Sequence, residues 1–243
     1  MTRLPGSDTI RIPVRFRGPP ASANGGYTCG LVAGTLGARA AEITLREPPA
    51  LERDLSVKRH PEGVTVVDGQ TIIAEGRPIT VDLLVPEAPS LKRAREAADA
   101  GYERWAAEHP FPECVVCGPD RAAGDGLRIF PGPLGHGGLF ACPWTPHETL
   151  ADAAGTVRPE CVWAALDCPT SAPSARQEAG PPAVLARLAV SLDAPVRAGE
   201  PHVLVSWELG GEGRKSSAGA ALFDSRGRAL ARSRALWIQL KEG

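Results

Sequence analysis

Over its last third the chain changes polarity with a period of two, and that period most restricts what it can fold into. In VLARLAVSL the residues Val184, Ala186, Leu188, Val190 and Leu192 share one face, and in VLVSWEL so do Val203, Val205, Trp207 and Leu209. Such alternation belongs to strands, because successive Cβ atoms point to opposite faces of a sheet. AGAALFDSRGRALARSRALWIQL continues as strand, Asp-Ser-Arg-Gly turn and strand. Together these segments predict an antiparallel meander with one face buried.

The first half carries a similar phrase. VTVVDGQTIIAEGRPITVDLLV runs strand, Asp68-Gly69 turn, strand. Ile73 to Arg77 falls over Leu230 to Arg234 in the same apolar phase. ITLREPPALERDLSV matches AVSLDAPVRAGEPHVLV in shape, two strands joined by a proline-containing connection. Each half also has one helix-like stretch, NGGYTCGLVAGTLGARA or RPECVWAALD, preceded by a candidate strand, IRIPVRF or LRIF. The order of elements repeats, which predicts a duplication.

Between the halves, SLKRAREAADAGYERWAAEHP has helical spacing through Leu91, Ala94, Ala98, Tyr102 and Trp105. His109-Pro110 ends it, because the residue before proline disfavours the helical region. This helix is read as a connector packed on the outside of one half. The expected organisation is α+β, with one unit over 1–90, the connector over 91–110 and a second unit over 111–243.

A net charge of -1 gives no bulk attraction for nucleic acid or an anionic membrane. The 27 glycines and 24 prolines are spread between periodic segments and read as turns. MTRLPGSDTIRIPVRF has no apolar core of a signal peptide, and no apolar run reaches membrane-spanning length. A cytoplasmic chain is therefore expected, with its 6 cysteines as thiols.

FPECVVCGPDRAAGDGLRIFPGP places Cys114 and Cys117 two residues apart. A structural zinc site takes four ligands, generally from two knuckles. Only one knuckle is present here, with His109, Cys142 and Cys161 scattered around it. A redox pair of this spacing belongs at a helix start, whereas Gly118-Pro119 follows here. The segment is read as a cysteine-rich loop, with neither metal nor cofactor expected.

Strand, long helix and wrapped antiparallel sheet, occurring twice, resembles the acyl-CoA thioesterase superfamily in its double-hotdog form. ECVVCGPDRAAGDGLRIFPGP is similar to an opening found in thioesterases of the phenylacetate-pathway type. ANGGYTCGLVAG resembles the superfamily's His-Gly-Gly helix start, with Asn24 where histidine is usual, and GRALARSRALWIQL resembles its final strand. The resemblance implies a thioester substrate such as an acyl-CoA, bound in a slot between paired units. A fused pair would form its own pseudo-dimer, alone or as a homodimer.

Thioester hydrolysis needs a carboxylate to activate water or attack the carbonyl, donors for the oxyanion, and a dry slot. Asn24, Gly25 and Gly26 offer a helix start whose free N–H groups could serve an oxygen, or only a sharp turn. Asp167 follows the apolar run Val162–Leu166, so it is expected to be buried and to need a partner. It is read as base or nucleophile, with a cap on the Cys168-Pro169 turn as the structural alternative. Tyr27, Trp163, His147 and Thr170 are the candidate substrate contacts, His147 at the rim and Trp144 also flanking the slot. A non-catalytic acyl- or small-ligand-binding protein is the alternative, favoured by asparagine at position 24. A hydratase is less well supported, because His147 precedes Asp152 in reversed order. Elbow, P-loop and dinucleotide motifs are absent from the sequence.

Overall fold

The alternating segments pair into one antiparallel sheet. The computed structural model describes residues 8–107, 109–135, 138–173 and 182–241, without the side chains of 104 and 105. The strands are β1 (Thr9–Arg11), β2 (Ala40–Leu45), β3 (Asp54–His60), β4 (Gly63–Asp68) and β5 (Thr71–Pro78) in the first half. In the second they are β6 (Gly132–Pro133), β7 (Leu139–Trp144), β8 (Ala183–Leu192), β9 (His202–Glu212), β10 (Lys215–Phe223) and β11 (Ala229–Gln239). Their order across the sheet is β1-β3-β4-β5-β2-β8-β11-β10-β9-β7-β6. Outward from the β2–β8 junction it runs β5, β4, β3, β1 on one side and β11, β10, β9, β7 on the other, with β6 at the far edge.

The junction is paired along β2 and β8. Ile43 of β2 lies opposite Leu188 of β8, and both are fully buried. Glu42, also buried, accepts a 2.8 Å hydrogen bond from Arg77 of β5 and lies 3.8 Å from Arg234 of β11. One carboxylate thus ties strands from both sides of the junction.

Among the described residues three α-helices join the sheet: α1 (Gly25–Leu36), α2 (Leu91–Ala107) and α3 (Pro159–Ala165). α1 begins where expected because Asn24 accepts the Tyr27 N–H at 2.8 Å, satisfying a donor that has no intrahelical partner. α1 and α3 lie side by side on one face of the sheet and bury Val32, Ile43, Trp163, Leu188 and Leu204 with it. α2 covers the opposite face of the second half, where Ala94 and Ala97 meet Val203, Val205 and Trp207.

The sequence differs from this picture in three places. Both faces of β9 are covered, Leu204 by the α1–α3 layer and Val203 by α2, where one buried face was expected. LRIF is not a strand; Leu127 and Ile129 donate to Val115 and Val116 of the cysteine loop, and β7 takes the strand's place beside β9. Pro131 and Pro133 have no N–H for a longer ladder there. ITVDLLV, read as continuing the fifth strand, forms none beyond Pro78. The Trp105 side chain of the connector lies outside the described residues.

Candidate active site

After α3 the chain passes through Asp167 into a short 3-10 turn, Cys168–Ser171. The apolar run Val162–Leu166 buries this end of the helix, and Asp167 goes with it, 1 % exposed. Its side chain makes no cap to the turn that follows. It crosses instead to the start of α1, where Oδ2 accepts the Gly26 N–H at 2.8 Å and the Asn24 Nδ2–H at 3.0 Å. The first amides of a helix are free donors at the positive end of its dipole, which suits a carboxylate. The other oxygen, Oδ1, has no hydrogen-bond partner among the described residues.

Burial is the largest influence on Asp167 and pushes its carboxyl up to about 7. The Gly26 N–H and the Asn24 amide pull the other way, and Cys114 adds to the rise. Close approach of the helices makes this contact reachable. A Cβ on Gly26 would stand 2.4 Å from Asp167 Cβ, and one on Gly30 would stand 2.5 Å from Glu160 Cα. Both are far inside ordinary carbon contact, so these positions need glycine.

Asn24 is fully engaged. Its oxygen caps α1, and its Nδ2 faces Asp167 Oδ2, with the sulfurs of Cys114 and Cys168 each 3.9 Å away. An asparagine supplies acceptor and donor at once, which a neutral imidazole in the same place would do with different reach.

The remaining sequence candidates separate into two groups. Gly25 faces Leu185 and Leu45. Tyr27 is buried and stacks on Phe16 with ring centroids 3.8 Å apart, and burial raises its phenol well above the ordinary value. Trp163 is in the core, and Thr170 accepts the Trp237 indole N–H at 2.8 Å while donating to Asp167 O. His147 caps a turn by accepting the Thr149 N–H and lines a cavity of about 290 Å³ with Trp144, Leu127 and Arg128. A second cavity of about 330 Å³ shares Arg128 and Pro143 and reaches Tyr102 and Phe130. Asp167 and α1 line neither.

The structure thus brings Asp167, Asn24 and Gly26 together and leaves His147 apart. It also brings Cys114, Cys117 and Cys168 beside them, their sulfurs all within 4.8 Å of one another. Sequence reasoning passed over Cys168 because it stands 54 residues from Cys114 with no second knuckle around it.

Sheet and helices define the class: the chain has the fold of the thioesterase-superfamily hotdog proteins. It is similar over 98 % of its length to 98 % of a chain described as a candidate thioesterase from Novosphingobium aromaticivorans, with TM-score 0.61 and 11 % identity. A tesB protein of Mycobacterium avium subsp. paratuberculosis matches 95 % of this chain over 91 % of its own, with TM-score 0.57 and 12 % identity. A candidate thioesterase II of Thermobifida fusca matches 97 % of this chain over 94 % of its own, with TM-score 0.52 and 15 % identity. No family profile matches the sequence, and no curated protein matches it.

Proposed function

We propose that the protein is an acyl-CoA thioesterase-like hydrolase built as two hotdog units, 1–90 and 111–243, joined by the 91–110 connector into an intramolecular pseudo-dimer. The mirrored strand order about β2–β8 supports the duplicated reading. The catalytic reading rests on one observation: Asp167 is buried, its Oδ2 is held by Gly26 and Asn24, and its Oδ1 has no partner among the described residues. A fixed carboxylate with one free oxygen is equipped to take a proton from water.

In this mechanism Oδ1 takes a proton as the water oxygen bonds to the thioester carbon. The tetrahedral intermediate then collapses, the C–S bond breaks, and the proton passes to the departing sulfur. Asp167 is 1 % exposed, so the entering thioester has to part the side chains over Oδ1. Among the described residues no helix is long and apolar enough to cross a membrane. A cytoplasmic site of action goes with a CoA substrate.

One observation favours the second reading, a non-catalytic acyl- or small-ligand-binding protein. The Gly26 N–H, a candidate oxyanion donor, is already bonded to Asp167. The two readings part on a panel of short, long and aromatic acyl-CoAs, followed by release of free CoA thiol. Turnover of any member supports the hydrolase. Saturable binding without turnover across the panel transfers the site to the binding reading.

A further inference from the structure

The cluster of Cys114, Cys117 and Cys168 belongs to no step of that mechanism, and we propose that it is a binding site for a zinc-class cation. The three sulfurs come from two distant segments. Cys114 and Cys117 sit on the loop after α2, and Cys168 opens the turn after α3. All three are buried, at 4 %, 4 % and 6 % exposure, and their sulfurs lie within 4.8 Å of one another. A tetrahedral zinc with bonds of about 2.3 Å holds two sulfurs about 3.8 Å apart. Cys114 Sγ and Cys168 Sγ are 3.8 Å apart. That pair stands at ligand spacing, and Cys117 Sγ lies within 4.8 Å of both.

The loop is shaped to hold that spacing. Gly118 N donates to Cys114 O at 2.8 Å, closing the turn between the two cysteines. A Cβ on Gly118 would stand 2.4 Å from Pro112 O and 2.6 Å from Cys114 N, so the chain folds back on itself there. Val115 donates to Arg17 O and accepts from Leu127 N–H, which pins the knuckle between the N-terminal segment and the Leu127–Phe130 stretch.

Donors surround the sulfurs, as thiolates require. His109 Nδ1 accepts the Phe111 N–H at 3.0 Å, which leaves the ring proton of the neutral imidazole on Nε2. That nitrogen is 3.3 Å from Cys117 Sγ, so His109 donates to the sulfur. Asn24 Nδ2 lies 3.9 Å from each of the other two. Three thiolates about one divalent cation carry an excess negative charge, and these N–H groups offset it. Binding replaces three S–H protons, which leave to solvent as three metal–sulfur bonds form; no electron moves. Thiolate sulfur is a soft ligand, which selects zinc over magnesium or calcium.

The site locks the cysteine loop to the turn behind Asp167, and it stands or falls independently of the reaction assigned to Asp167. The test is metal content of the purified full-length chain by elemental analysis, after zinc-free dialysis and after reconstitution with zinc chloride. About one zinc per chain is expected. Cys117→Ser and Cys168→Ser should each lose it, whereas Cys142→Ser, whose buried thiol lies outside the cluster, should keep it. Should the serine variants fail to fold, the wild-type chain still decides. Titration with a mercurial should release zinc in step with three thiols, and cobalt substitution should give a thiolate-to-cobalt charge-transfer band. Folded wild-type protein that takes up no zinc on reconstitution overturns the proposal, and so does a Cys168→Ser variant that retains it.

Discussion

Replacing single glycines of α1 by alanine should separate the helix contact from the helix itself. At Gly34, exposed and with nothing within 4 Å of an added Cβ, alanine only improves helix propensity. It should stabilise by about 0.5–1 kcal/mol. At Gly30 the same Cβ would stand 2.5 Å from Glu160 Cα and 2.9 Å from Trp163 Cβ. Optimal carbon contact is about 3.5–4.0 Å, so α3 must retreat by about 1 Å or more. Glu160 Cα is backbone and cannot swing away. The overpacking cost of about 1–3 kcal/mol then outweighs the propensity gain. At Gly26 the clash falls on Asp167 Cβ, 2.4 Å away, and also breaks the 2.8 Å bond to Oδ2. A hydrogen bond to a charged group adds about 1.5–3 kcal/mol, which brings the expected loss to about 2.5–6 kcal/mol. Urea unfolding followed by circular dichroism and tryptophan fluorescence gives each midpoint, with equal slopes required for comparison. The stability order Gly34→Ala, wild type, Gly30→Ala, Gly26→Ala is expected. A Gly30→Ala protein as stable as Gly34→Ala refutes the close α1–α3 contact on which the site depends.

Asn24→Ala removes the cap of α1 and one of the two donors to Asp167, so it should cost more than the usual cap loss of about 0.5–2 kcal/mol; Asn24→Asp, which keeps the cap but not the donor, reads the difference by the same unfolding assay. Leu188→Ala, at the fully buried β2–β8 junction, should destabilise by about 2–5 kcal/mol in a single transition, because one continuous sheet crosses that point; two separated transitions count against the joined sheet.

Much of the fold was legible in the chain because its signals are local. The alternation in VLARLAVSL and VLVSWEL became β8 and β9, and Asn24-Gly25-Gly26 opened α1 with Asn24 as its cap. The burial of Asp167 followed from the five apolar residues before it. Its partner did not, because Gly26 stands 141 residues away and only the packing of two helices joins them. LRIF misled for a related reason. Its apolar residues are buried, but by the cysteine loop and not by a sheet ladder. Cys168 looked like part of a turn, which it is, and only the fold carries it to the knuckle. His147 lines a cavity whose lining does not include Asp167.

The most direct test of the proposed chemistry is the acyl-CoA hydrolysis rate of Asp167→Asn beside that of the wild type, on whichever panel member is turned over. Asparagine preserves an oxygen for the Gly26 and Asn24 donors and removes only the ability to take a proton. Its unfolding midpoint and its affinity for the substrate should stay near wild type. Turnover should fall by about 10²–10⁴, the contribution of a positioned acid or base. A folded, substrate-binding Asp167→Asn protein that hydrolyses at the wild-type rate contradicts the assignment.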